Sequence, residues 1–318
     1  MKDLNDSKSN SSEHYTRPNR FSAVSHFLIG CGVFVMCAGI FAIAGAMLAG
    51  ISFEEIMSGV DVLNRIEDNP LLLKVFVFFS SSLPLIIAAV LVAFIIRANP
   101  KDYLLLRAPL NHTWFGLSIV FVFISIPLMG PLLELNSLVD FSAISEELNT
   151  WLKNQETANN TAYEAMIGDK TTVSFLSSIL FMAFLPALAE ELFFRGFLMN
   201  VLNGVFKNMH VAILITAVIF SFIHMQFLKA LPMFFLALVF GYAVYWTRSI
   251  WTSVLAHFIN NSLAVTQLYF FTDGNYDEAL SLENTIPVYV SIVLAVVVVA
   301  LFIYIQKNSN TKTENFYV

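Results

Sequence analysis

The sequence predicts an all-α, polytopic membrane helix bundle of about eight transmembrane helices, with both termini cytoplasmic. Three observations predict it. Hydrophobic residues make up 57% of the 318 positions and charged residues only 13%, against about 25% charged in a soluble domain. Uncharged windows of the length a spanning helix needs, about 20 residues, recur along the chain. The charges between those windows alternate in sign, as the positive-inside pattern requires.

The windows run over residues 21–53, 75–96, 108–133, 171–189, 209–223, 230–247, 249–272 and 284–306. In the first, Ala42-Ile43-Ala44 resembles a signal-cleavage site, but the apolar run is far longer than an h-region, so a retained helix is expected. Its Gly39, Ala42, Gly45, Ala46 and Gly50 suit close packing on a neighbouring helix of the same chain. Cys31 and Cys37 lie about 1.7 turns apart on different helix faces and are not expected to pair. The polar connector 134–170 has room for a short amphipathic helix around 144–152. The fourth window should continue through Arg195 to about Leu202 as one long helix, with a bend at Pro186, which lacks a backbone donor. The fifth continues through His224.

Basic residues mark one side: Lys2, Lys8, Arg17 and Arg20, then Arg97, Lys101 and Arg107, then Lys207, Arg248, Lys307 and Lys312. Acidic residues mark the other, at 54–68, 134–169 and 273–283, although Arg65, Lys74, Lys153, Lys170 and Lys229 fall there too. The net charge of −6, with no basic cluster, argues against nucleic acid as a partner. The expected organisation is a disordered cytoplasmic tail over 1–20, a single transmembrane domain over 21–306, and a cytoplasmic tail over 307–318. There is no internal repeat.

Charged residues inside spans are rare and mark function, unless they form a structural ion pair or snorkel to the interface. In A-E-E-L-F-F-R-G-F, Glu191 and Arg195 are four apart and can pair on one helix face. Glu190 points about 100° away from Glu191, and the residue four places on is Phe194, which cannot neutralise it. Phe220 and His224 are four apart in F-S-F-I-H, and His257 and Asn261 are four apart in H-F-I-N-N, with Asn260 alongside. A lone membrane histidine or asparagine is more often a helix–helix contact than a catalyst. Here a spare glutamate, two histidines and an asparagine fall on three spans in one stretch. His14, His26, His112 and His210 lie in the tail or at segment edges and carry no role.

E-E-x-x-x-R, then F-x-x-x-H, then H-x-x-x-N, in that order over 171–268, resembles the CPBP family of intramembrane glutamic endopeptidases, which includes type II CAAX prenyl proteases and bacteriocin-processing proteins. The resemblance implies that Glu190 acts as general base, with His224 holding and activating water. It implies that His257 and Asn261 form the oxyanion site, and that Glu191, Arg195 and Phe220 support them. No cofactor or metal is implied. The implied substrates are membrane-associated peptides or proteins at the lipid bilayer, and the implied location is the plasma (inner) membrane of a bacterium. Two other readings stay open. A zinc metalloprotease could use the same glutamate and histidines, though no H-E-x-x-H occurs and asparagine is a poor zinc ligand. A non-proteolytic transporter or immunity-type membrane protein could also bury such groups, though carriers often show repeats and broken helices.

Overall fold

The structure is a computed structural model that describes residues 20–96, 98–270 and 287–309. The expected tail 1–20, apart from Arg20, the acidic connector 273–283, Arg97 and residues 310–318 lie outside the described residues. Among the described residues nine principal helices follow in chain order: α1 (Arg20–Leu48), α2 (Pro70–Ile95), α3 (His112–Ser137), α4 (Glu146–Ile167), α5 (Thr172–Phe206), α6 (Met209–Ile223), α7 (Ala230–Thr247), α8 (Ile250–Phe270) and α9 (Val288–Asn308). Short helices at Phe53–Met57, Val62–Ile66 and Pro100–Tyr103 join them. Each of the eight apolar windows holds one principal helix, and no strand occurs among the described residues. Six segments among the described residues are long and apolar enough to cross a membrane. The α6 helix is shorter at 15 residues, and α8 carries the polar residues of the third motif.

Helix starts are set by polar caps. The side chains of Asn69, Asn111, Ser145, Thr171 and Asn208 each accept a backbone N–H from the first turn of α2, α3, α4, α5 and α6. Two helices end on basic residues in the left-handed region, Lys207 after α5 and Arg248 after α7. Cations there complement the negative end of the helix dipole. The amphipathic helix of the 134–170 connector is longer than expected, at 22 residues rather than the nine of 144–152. Its Ser145 cap and the glycine stop at Gly168 set its length better than its weak apolar periodicity does.

The α5 helix is the centre of the bundle and packs against α1, α2, α6 and α8, while α7 packs against α3, α6 and α8. It runs unbroken through Arg195 over 35 residues, with Glu190 close to its middle. Two of its stretches, Ile179–Phe184 and Glu191–Leu198, are π-helical. The first ends two residues before Pro186. In α2 another π stretch, Phe78–Ser82, ends two residues before Pro84. At both prolines the missing donor is absorbed by a local change of hydrogen-bond register. Of the small residues expected to pack in α1, Gly39 and Gly50 face open space, whereas a Cβ on Gly45 would lie 2.9 Å from Phe79 of α2. The tightest approach is at Gly30, where a Cβ would meet the Phe197 ring of α5 at 2.0 Å. Cys31 and Cys37 are unpaired. Large apolar side chains such as Val35, Phe94 and Val296 face outward, which suits a lipid surround.

The two ends of the bundle differ in charge. At one end the 98–111 connector is bonded to the α7–α8 turn: Arg107 Nε donates to the Arg248 carbonyl at 3.1 Å, Ser249 Oγ to the Arg107 carbonyl at 2.6 Å and Trp251 Nε1 to the Leu106 carbonyl at 3.2 Å. Residues that the charge pattern places on one side therefore meet. At the other end α4 lies beside the α6–α7 connector, with Glu156 paired to Lys229 and Trp151 against Phe227.

Candidate active site

The polar groups of the three motifs converge from α5, α6 and α8. The Arg195 and Glu191 side chains are fully buried and paired, Nη1 to Oε1 at 2.7 Å. A buried charge is tolerated only when paired and hydrogen-bonded, and the surroundings supply more than one partner. Arg195 Nη2 donates to the Ala237 carbonyl of α7 at 3.1 Å, and its guanidinium lies 4.8 Å from the Phe220 ring centre and 5.5 Å from that of Phe240. Glu191 Oε1 also receives His257 Nδ1 at 2.9 Å. That oxygen accepts from two cationic or donor groups, so Nδ1 of His257 bears the hydrogen and its Nε2 faces away from Glu191.

His224 is placed by the end of α6. Its Nδ1 lies 2.7 Å from the Phe220 carbonyl, one of the last-turn carbonyls that a helix end leaves without an intrahelical donor. A carbonyl only accepts, so this ring too carries its hydrogen on Nδ1. The Phe220 ring stacks on His224 at 4.5 Å and stands 6.2 Å from the ring of His257. Phe220 therefore touches both histidines and the arginine, which gives physical content to the supporting role implied for it.

Glu190 is the carboxylate left over, as its position on the helix predicts. Its Oε2 has no hydrogen-bond partner in the protein, yet it lies 3.7 Å from Nε2 of His224 and 3.8 Å from Nε2 of His257. Those separations are too long for direct hydrogen bonds. Side-chain exposure rises across the cluster: 0% for Glu191 and Arg195, 7% for His257, 17% for Glu190 and 26% for His224. The cluster is thus sealed on the Arg195 side and open on the His224 side, toward the end of the bundle that carries α4.

On α8, Asn261 lies one turn beyond His257, and its Oδ1 accepts from Asn260 Nδ2 at 3.3 Å, so its own amide hydrogens stay available as donors. Among the described residues no group of three or more His, Cys, Asp or Glu side chains is arranged to hold a metal ion. Two parts of the site carried no signal in the sequence. Phe240 is one of 31 phenylalanines, and the Ala237 carbonyl is a backbone atom; both reach Arg195 only through the tertiary fold.

No curated protein and no solved structure matches the chain. One family model does, over residues 172–263, which hold Glu190, Glu191, Arg195, Phe220, His224, His257 and Asn261. It describes the Rce1-like type II CAAX prenyl endopeptidases, so over this segment the chain is similar to the CAAX-type membrane protease family that its three motifs resemble.

Proposed function

We propose that the chain is an intramembrane endopeptidase in which Glu190 activates water for direct attack on a peptide bond. The observation that carries this reading is the free Oε2 of Glu190, held opposite two imidazole Nε2 atoms from other helices. Proton positions follow from the partners. Neutral His224 has its hydrogen on Nδ1, so its Nε2 accepts one hydrogen of the water while Glu190 accepts the other. Water has no third hydrogen to give, so Nε2 of His257 carries its own. With Nδ1 already protonated against Glu191, His257 is then an imidazolium and can donate, together with Asn261, to the carbonyl oxygen under attack. Two carboxylates, one guanidinium and one imidazolium sum to zero, which suits a site within a bilayer.

The reaction balances without a covalent intermediate. The water oxygen adds to the carbonyl carbon as Glu190 takes its proton. The oxyanion sits on the His257 and Asn261 donors. Glu190 then returns the proton to the nitrogen as the C–N bond breaks, leaving a carboxylic acid and an amine. Substrate reaches the site from the end of the bundle that carries α4, which is extracytoplasmic if basic loops face the cytoplasm. The substrates are membrane-associated peptides or membrane-anchored proteins cut near the bilayer of a bacterial plasma membrane.

Comparing membrane-associated peptides in wild-type and Glu190→Ala cells by mass spectrometry tests this reading. Cleaved products present only with the wild type support it, and identical peptide profiles overturn it. Purified enzyme whose turnover is abolished by a chelator and restored by zinc would instead favour the metalloprotease chemistry.

A further inference from the structure

The backbone that follows His224 is held in part from outside the matched segment. His224 ends α6, and the chain then turns through Met225, which has a positive φ of 54°, before the short helical turn Phe227–Lys229 and the start of α7. A non-glycine residue in the left-handed region is costly and persists only when its surroundings fix it. The fixing group is Asn136, near the end of α3 and outside the matched residues. It is 6% exposed. Its Nδ2 donates to the Phe227 carbonyl at 3.1 Å and the Leu228 carbonyl at 2.9 Å, and its Oδ1 accepts from Leu231 N at 2.9 Å. Both amide hydrogens and the oxygen are therefore used on one short stretch of backbone. The Leu231 N–H is an orphan donor of the first turn of α7, so Asn136 caps that helix from across the bundle. Secondary braces come from Ser221 Oγ, bonded to the Ala230 carbonyl at 2.8 Å, and from α4 through the Glu156–Lys229 pair and a Tyr163–Gln226 hydrogen bond.

We propose that Asn136 is a positioning residue for His224, acting through the 225–231 backbone to keep its Nε2 opposite Glu190. The proposal rests on the peptidase reading for its effect on turnover but not for its effect on the histidine. Without Asn136 two carbonyls and one N–H of the part-buried connector lose their partners, and the cheapest relief is for the connector to move toward water. That motion releases the last turn of α6, where the His224 Nδ1–Phe220 bond is made. The α8 side of the site has no link to Asn136, so His257 keeps its bond to Glu191.

The test uses full-length protein in nanodiscs with ¹⁵N-labelled histidine, the His224 resonances being assigned by their loss in His224→Gln. Asn136→Asp keeps the size and the acceptor but sets a carboxylate against two carbonyls, and Glu156→Gln loosens the same connector from α4 should the first variant not fold. The expected result is loss of the Nδ1–H signature of His224 in Asn136→Asp, with the His257 resonances unchanged. Turnover by the same variant falls by about 10- to 100-fold with KM within about twofold, as for a displaced catalytic group. Glu156→Gln gives the same changes at smaller size. An unchanged His224 signature in both variants overturns the proposal, as does a lost signature with wild-type turnover. If the wild type cleaves nothing, the peptidase reading fails while the histidine spectra still decide the role of Asn136.

Discussion

The polar cluster has two halves built from the same residue types, a glutamate and a histidine each, and burial alone separates them. In the sealed half, Glu191 holds Arg195 at 2.7 Å and His257 at 2.9 Å, and neither charged side chain is exposed. In the open half, Glu190 and His224 stand 3.7 Å apart, both partly exposed. Glu191 spends one oxygen on both an arginine and a histidine, although its other oxygen, like Oε2 of Glu190, has no bond in the protein. Glu190 instead faces two imidazoles without a direct bond to either. In the proposed reading the first acid therefore holds its partners and the second acts on water.

Substitutions can break that contrast in order of size. Glu190→Gln is expected to leave the fold intact and lower turnover by about 10²–10⁴-fold, the range for loss of a general base, as read by cleavage of a membrane peptide. Arg195→Met is expected to do the reverse: it strands Glu191 as an uncompensated buried charge and costs about 3–5 kcal/mol of stability, visible as a lower Tm and poor recovery from detergent. Asn261→Ala should lower kcat by about 10²-fold, toward the lower end for an oxyanion donor, with Tm unchanged. The smallest effect is expected remote from the site. Gly30→Ala forces a methyl against Phe197 and should cost about 1–3 kcal/mol as overpacking, whereas Gly39→Ala, facing open space, should be neutral in the same thermal assay.

Much of this arrangement was legible in the sequence. The eight windows and the helix through Arg195 could be read because lipid demands long apolar runs, and a charge inside one is conspicuous. The Glu191–Arg195 pair could be read because it is local, four residues apart on one helix. What stayed hidden joins residues far apart in the chain. The bond from His257 to Glu191 spans 66 positions and that from Asn136 to Leu231 spans 95, and neither leaves a periodic trace. The family resemblance implies that His257 is an oxyanion donor; its bond to Glu191 is what the sequence did not reveal. Asn136 lies at the edge of an acidic connector, where an asparagine is an ordinary solvated residue until the fold buries it. The full length of α4 was also missed, because polar caps rather than an apolar stripe define it. The π-helical stretches depend on hydrogen-bond register, which residue type does not dictate.

The division of labour between the two acids is tested most directly by making Glu190→Gln and Glu191→Gln in parallel and measuring both Tm and turnover of a membrane-anchored peptide in nanodiscs. Glu190→Gln is predicted to keep the wild-type Tm and to lose turnover by at least about 10²-fold, while Glu191→Gln lowers Tm because the buried Arg195 loses its counter-charge. A Glu190→Gln enzyme that still cleaves at the wild-type rate, or one that unfolds as Glu191→Gln does, would contradict this division of labour.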